Sequence, residues 1–252
     1  MPRRIASSPA VVVPRSAPAA AAKSAAQPPP AASAWKPTGK STVEQRRLLD
    51  STLDNAITLP AGTSFLVRLG HVRSVLGTLG TDGKRVATEQ LAAKLPARTN
   101  EERGRILALA TALGAKTPAL TDLLMKDAIS AGDAALALEL VHDGATLTRS
   151  QKLELAPHIV GDEALISADA TKNLTRAAIS VLADQPKVLE GFAKSVSSPA
   201  VLFTEVLANR DQAGARALKP LVGLLSQKEA RGLLKMHPRS ELSSELRARA
   251  NS

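Results

Sequence analysis

Residues 100–148 read NEERGRILALATALGAKTPALTDLLMKDAISAGDAALALELVHDGATLT, and this stretch decides the fold. Gly114, Gly132 and Gly144 each close an apolar segment, while Thr117-Pro118 and Asp133 each open the next one. A Thr or Asp oxygen satisfies the first free amides of a helix, proline fits its first position, and glycine takes the left-handed conformation that ends it. The stretch therefore predicts Asn100 capping a helix over 101–113, a second helix opened by Thr117-Pro118 and ending at Gly132, and a third over 134–142 capped by Asp133.

The same punctuation extends in both directions. Upstream, Ser41-Thr42-Val43-Glu44 has the capping-box spacing, and Leu49, Leu53, Ala56 and Ile57 follow on one helical face until Pro60 and Gly62. Phe65, Leu69, Val72, Leu76 and Leu79 recur at spacings of four and three, an amphipathic stripe, before the turn-forming Gly80-Thr81-Asp82-Gly83. Downstream, Ser150, Asp169, Ser198-Pro199, Ser226 and Ser240 read as caps, and Ser226 to Glu229 repeats the capping box. No stretch beyond the first forty residues alternates with period two, so no strand is expected. The expectation is an all-α fold of roughly 10–12 short helices, either an irregular bundle or a short α-solenoid.

Composition agrees with helices. The 252 residues include no Cys or Tyr, and Trp35, Phe65, Phe192 and Phe203 are the only aromatics, so the core must be Leu, Val, Ile and Ala. Without cysteine, disulfides, thiolate metal sites and thiol nucleophiles are excluded. No run approaches the ~18 apolar residues of a membrane span.

Residues 1–40 differ from the rest and divide the chain into a leader and a helical domain over 41–252. The leader holds eight of the sixteen prolines and is otherwise mainly Ala, Ser and cations, a composition expected to stay disordered. Six of the 33 Lys and Arg lie within residues 1–43, among them Arg3, Arg4 and Arg15, with no acidic residue. The remaining 27 stand against 23 acidic residues, so most of the +10 net charge resides in the leader. Specific nucleic-acid recognition would call for a basic stripe with stacking aromatics or a recognition helix, and the domain has neither.

The opening MPRRIASSP and the Ser, Pro, Ala and Arg bias of residues 1–40 resemble the export segments of bacterial type III secreted effectors. That resemblance implies secretion into a host cell, recognition of Arg3, Arg4, Arg15 and their surroundings by an export machinery or chaperone, and a host protein as partner. A mitochondrial or plastid transit peptide shares the bias, although Pro2, Pro9, Pro14 and Pro18 would break a presequence helix. A plain flexible tail on a cytoplasmic protein is the third alternative. Between Ala128 and Thr148, the Gly132 turn, the 136–140 helix and Gly144-Ala145 resemble an ankyrin repeat, which implies protein binding rather than catalysis.

No residue set specifies a reaction, and no cofactor is expected. Ala34 to Ser41, AWKPTGKS, matches a relaxed phosphate loop, but PPPAAS precedes it instead of a strand. His71, His142, His158 and His237 are scattered and form no short ligand pair. Glu101-Glu102 and Asp162-Glu163 fit first helical turns, where carboxylates complement the helix dipole. The stripe Leu218, Leu221, Leu224 and Leu225 reads as core. Enzymatic activity, as a hydrolase or transferase with a dispersed polar site, is the alternative to protein binding, and requires a pocket that brings a histidine to a serine or carboxylate.

Overall fold

The computed structural model describes residues 43–60, 62–96, 98–161, 174–196 and 198–252. The leader with Arg3, Arg4 and Arg15, the phosphate-loop look-alike at 34–41, the Ser41 cap, Asp162-Glu163 and the Asp169 cap lie outside the described residues.

Among the described residues the fold is all-α, with thirteen α-helices and no strand. They are α1 Val43–Thr58, α2 Phe65–Thr78, α3 Gly83–Ala93, α4 Asn100–Ala112, α5 Pro118–Ser130, α6 Ala134–His142 and α7 Arg149–Gly161. The second half holds α8 Thr175–Leu182, α9 Pro186–Ser195, α10 Ala200–Ala208, α11 Gln212–Leu218, α12 Gln227–Met236 and α13 Ser243–Asn251. The count exceeds the expected 10–12 because the C-terminal helices are as short as seven residues. Among the described residues two segments are 3-10 helices: Gly80–Asp82, where a turn was expected, and Lys219–Leu224. The second contains part of the leucine stripe, whose spacing of three suits three residues per turn; Leu218, Leu221 and Leu225 are buried and Leu224 packs against the core.

The apolar stripes bury as their spacing predicts. In α1 the buried residues are Leu49, Leu53, Ala56 and Ile57. In α2 Leu69 and Val72 are buried, and Phe65 and Leu76 pack against the core. The core is contiguous and aliphatic, with Phe192 and Phe203 its largest fully buried side chains.

Four helix ends share one hydrogen-bond pattern. After α4, α5, α6 and α10 the chain turns left-handed at Gly114 (φ +63°), Gly132 (φ +70°), Gly144 (φ +97°) and Arg210 (φ +53°). At each, the following amide donates back into the last turn of the helix: Ala115 to the Ala110 carbonyl at 2.8 Å, Asp133 to Ala128 at 2.8 Å, Ala145 to Leu140 at 2.9 Å, and Asp211 to Val206 at 3.0 Å. This is the Schellman arrangement, which satisfies carbonyls that a helix end leaves open. Asp133 and Asp211 then cap the next helices, accepting from the amides of Leu136 at 3.1 Å and Gly214 at 3.0 Å. The α5–α6 and α10–α11 hairpins thus use the same connector, one built on glycine and one on arginine.

Four caps differ from expectation. Thr99, rather than Asn100, caps α4: its hydroxyl accepts from the Glu102 amide at 3.2 Å while Glu102 accepts from the Thr99 amide at 3.1 Å. Asn100 instead accepts from Arg103 at 2.9 Å. At α7 the pair is Thr148 and Gln151, and Ser150 lies inside the helix, because Gln151 provides the return bond at 2.9 Å. The Ser198 hydroxyl leaves its own helix and donates to Glu229 at 2.7 Å, tying the start of α10 to α12. Ser240 caps nothing, since α13 begins beyond it with no side-chain cap.

Helices pack chiefly on near neighbours in sequence. α1 packs on α2, α3 and α4, α3 on α5, α4 and α5 on α6, and α6 on α7 and α8. Onward, α7 meets α8 and α9, α8 meets α10 and α11, α10 meets α12, and α12 meets α13. All these contacts join elements close in sequence, a pattern compatible with both expected architectures, the irregular bundle and the short α-solenoid.

Candidate functional site

A polar-lined cleft forms where the α10–α11 connector meets the segment between α12 and α13. It encloses about 480 Å³, within the ~300–1,000 Å³ usual for small-molecule sites. Val206, Leu207 and Ala215 give it an apolar lining, and Arg210, Asp211, Gln212, His237, Arg239, Ser240 and Glu241 surround that lining with polar groups. The sequence folds to this shape because Arg210 turns left-handed to end α10, and because Pro238, with no amide hydrogen, follows directly on the end of α12.

The two acids in the cleft are locally engaged. One Asp211 oxygen caps α11 through the Gly214 amide at 3.0 Å, and the other faces Arg176 Nε at 3.9 Å. Glu241 faces Arg216 at 3.9 Å. Arg210 and Arg239 are exposed and have no carboxylate partner among the described residues. The Ser240 hydroxyl is withdrawn from solvent and makes no hydrogen bond. Buried polar groups are overwhelmingly paired, and an unpaired one costs about 1–3 kcal/mol, so this orphan calls for an explanation.

Of the four histidines, only His237 enters this cleft. His71 is exposed on α2, His142 ends α6, and His158 on α7 lies against Gly132. Among the described residues no three His, Asp or Glu side chains come together as a metal site. Glu101 pairs with Arg105 at 2.8 Å and Glu102 serves the α4 capping box, so both have structural employment. The cleft does bring His237 and Ser240 together, but the Ser240 hydroxyl is not hydrogen-bonded to the imidazole, so no base is poised on it.

Sequence reasoning missed this site: it treated His237 as isolated and Ser240 as a cap. Two signals were present, the polar run His237-Pro238-Arg239-Ser240-Glu241 between helices and the charge of the C-terminal end. Residues 210–252 hold nine Lys and Arg against four Asp and Glu, whereas residues 44–209 hold eighteen against nineteen. The domain's positive excess therefore lies in its C-terminal segment, which includes the cleft residues.

A second hollow, about 430 Å³, runs between α7 and α9. Leu153, Ala156, Pro157 and Val160 line one side and Val188 and Gly191 the other. Leu153 is 54% exposed there. Pro157 sits inside α7 and has no amide hydrogen, so the Leu153 carbonyl lacks its helical partner.

One acid of the C-terminal end is strongly perturbed. The ammonium of Lys219, 2.6 Å away, and the Ser244 hydroxyl, also at 2.6 Å, lower the Glu245 carboxyl to about 2. Glu229 is lowered as well, through hydrogen bonds from the Ser226 hydroxyl, the Ser226 amide and the Ser198 hydroxyl. Both act as structural ties outside the cleft. Among the described residues no helix is long and apolar enough to cross a membrane. Comparison with known proteins matches no family model, no curated protein and no solved structure.

Proposed function

We propose that this chain is a translocated bacterial effector whose helical body binds a host protein. The groove between α7 and α9 carries the binding half of this reading: it is apolar, Leu153 stands 54% exposed in it, and the Leu153 carbonyl lacks its intrahelical donor. A partner helix or extended segment with an apolar stripe fits such a groove. Helices packed on near neighbours in sequence suit an extended binding surface of the kind solenoids present. The export half rests on the composition of residues 1–40, and a secretion chaperone would act there.

Two experiments test the halves separately. Residues 1–50 fused to a reporter active only inside host cells are expected to give signal from secretion-competent bacteria and none from a secretion-deficient strain; silence from both, with the fusion expressed, removes the export reading. A photo-reactive residue at position 153 is expected to cross-link one host protein, and Leu153→Asp to weaken that partner's binding about tenfold without a change in folding. Equal adducts from position 66 on α2, where Leu66 is 74% exposed, would remove the groove reading.

The enzyme reading draws on the cleft, where His237, Ser240, Asp211 and Glu241 line one cavity. Its test is loss of any measured hydrolase or transferase turnover in His237→Gln.

A further inference from the structure

The cleft between the α10–α11 connector and the 237–241 segment is separate from the α7–α9 groove, and its chemistry is independent of whatever that groove binds. We infer that this cleft is a binding site for a phosphate monoester carried on a compact apolar body.

The polar lining supplies donors in the numbers a phosphate needs. Arg210 and Arg239 bring two guanidiniums without carboxylate partners among the described residues, and Gln212 and His237 add an amide and an imidazole on the same lining. Guanidinium forks match phosphate oxygens in pairs, which is why arginine dominates such sites. The cleft's acids do not cancel them. Asp211 is divided between the Gly214 amide and Arg176, and Glu241 faces Arg216, so each acid has its own cation outside the lining.

Ser240 supplies the second, independent observation. Its hydroxyl is buried, unbonded and part of a residue that lines the cleft. Rotation about its single side-chain torsion would offer that hydroxyl to a bound oxyanion. Val206, Leu207 and Ala215 provide an apolar seat for the remainder of the ligand. The segment 210–252, which supplies most of the cleft lining, holds nine cations against four acids, a balance that favours an anionic ligand.

A phosphate monoester on an apolar body could arrive as a free small molecule or as a phosphorylated side chain next to an apolar residue. Titration calorimetry of the full chain with phenyl phosphate, and with a leucine-flanked phosphoserine peptide beside its unphosphorylated form, separates these sources by which probe binds more tightly. Saturable binding of at least one phosphorylated probe is expected. Arg239→Gln should weaken it about tenfold, the loss of one charge-assisted pair. Ser240→Ala should weaken it severalfold while leaving the thermal midpoint unchanged or higher, since it removes an unsatisfied buried group. Absence of saturable binding by both phosphorylated probes at millimolar concentration would overturn the inference. So would an equal loss in Lys187→Gln, which alters a cation on α9 that lines the other groove.

Discussion

Replacing Gly132 by alanine puts the shared connector to a quantitative test. Gly132 holds φ +70° between α5 and α6, with its amide on the Ile129 carbonyl at 3.0 Å and the Asp133 amide on Ala128 at 2.8 Å. A left-handed L-residue costs about 1–2 kcal/mol, and alanine recovers about 0.4–1 kcal/mol by restricting the unfolded chain. The added Cβ would also lie 2.9 Å from Cε1 and Nδ1 of His158. His158 is exposed, so its ring can swing aside. The expected net loss is about 1 kcal/mol, or ~2–4 °C in the thermal midpoint of a domain of this size. Thermal and urea unfolding followed by far-ultraviolet circular dichroism measures it. Gly144→Ala, at φ +97° with nothing within 4 Å of an added Cβ, should lose a similar amount and serves as the contact-free control. Gly132→Ala should remain as costly in a His158→Ala background. A neutral Gly132→Ala would refute the left-handed helix end, and a loss that vanished with His158→Ala would assign the effect to the ring instead of the backbone.

Arg210→Gly is the reciprocal change at the α10–α11 connector and should raise stability by up to about 1 kcal/mol, read from the same unfolding curves. Glu229→Gln tests acid sensitivity: hydrogen bonds lower the Glu229 carboxyl from 4.5, so its stabilisation is complete above that pH and fades as pH falls through the lowered value. The stability gap between wild type and Glu229→Gln should therefore narrow below pH 4.5, and a gap constant with pH would contradict the assignment. Lys94, 9% exposed, contacts Asp50 at 2.8 Å and Asp54 at 2.7 Å, and Arg98 meets Asp54 at 3.1 Å. Asp54→Ala should cost about 1 kcal/mol in denaturant unfolding, the half-exposed carboxylates limiting the effect, and less at high salt.

Local chemistry made much of the fold readable. Thr117, Asp133 and Ser226 cap the helices they were expected to cap, because a cap depends only on residues within one turn. The misplacements at Thr99 and Thr148 have the same origin. Two neighbouring residues could each accept the amide, and the partner at the third helical position, Glu102 or Gln151, selected the register. Ser198 and Ser240 failed for a different reason. Their surroundings are set by chain distant in sequence, Glu229 for the first and the α10–α11 connector for the second. The cleft was illegible because Arg210 and Arg239 approach only after α10, α11 and α12 have packed, and no periodic pattern encodes that meeting. The left-handed turn at Arg210 was hidden too, since glycine, the usual marker of such an end, is missing there.

Packing among sequence neighbours also governs how the chain comes apart. A fold with a remote clasp must yield all at once under load, whereas one stacked helix upon helix can peel from an end. The force at any moment then has to break only the interface of the outermost unit, so the work is divided into small successive steps. The α12–α13 hairpin, held through Arg249 to the Leu225 carbonyl at 2.6 Å and Lys219 to Glu245 at 2.6 Å, would be the first unit released by a pull on the C-terminus. Contacts of short sequence separation also re-form quickly, so a chain drawn through a narrow passage would regain its helices in the order in which they emerged.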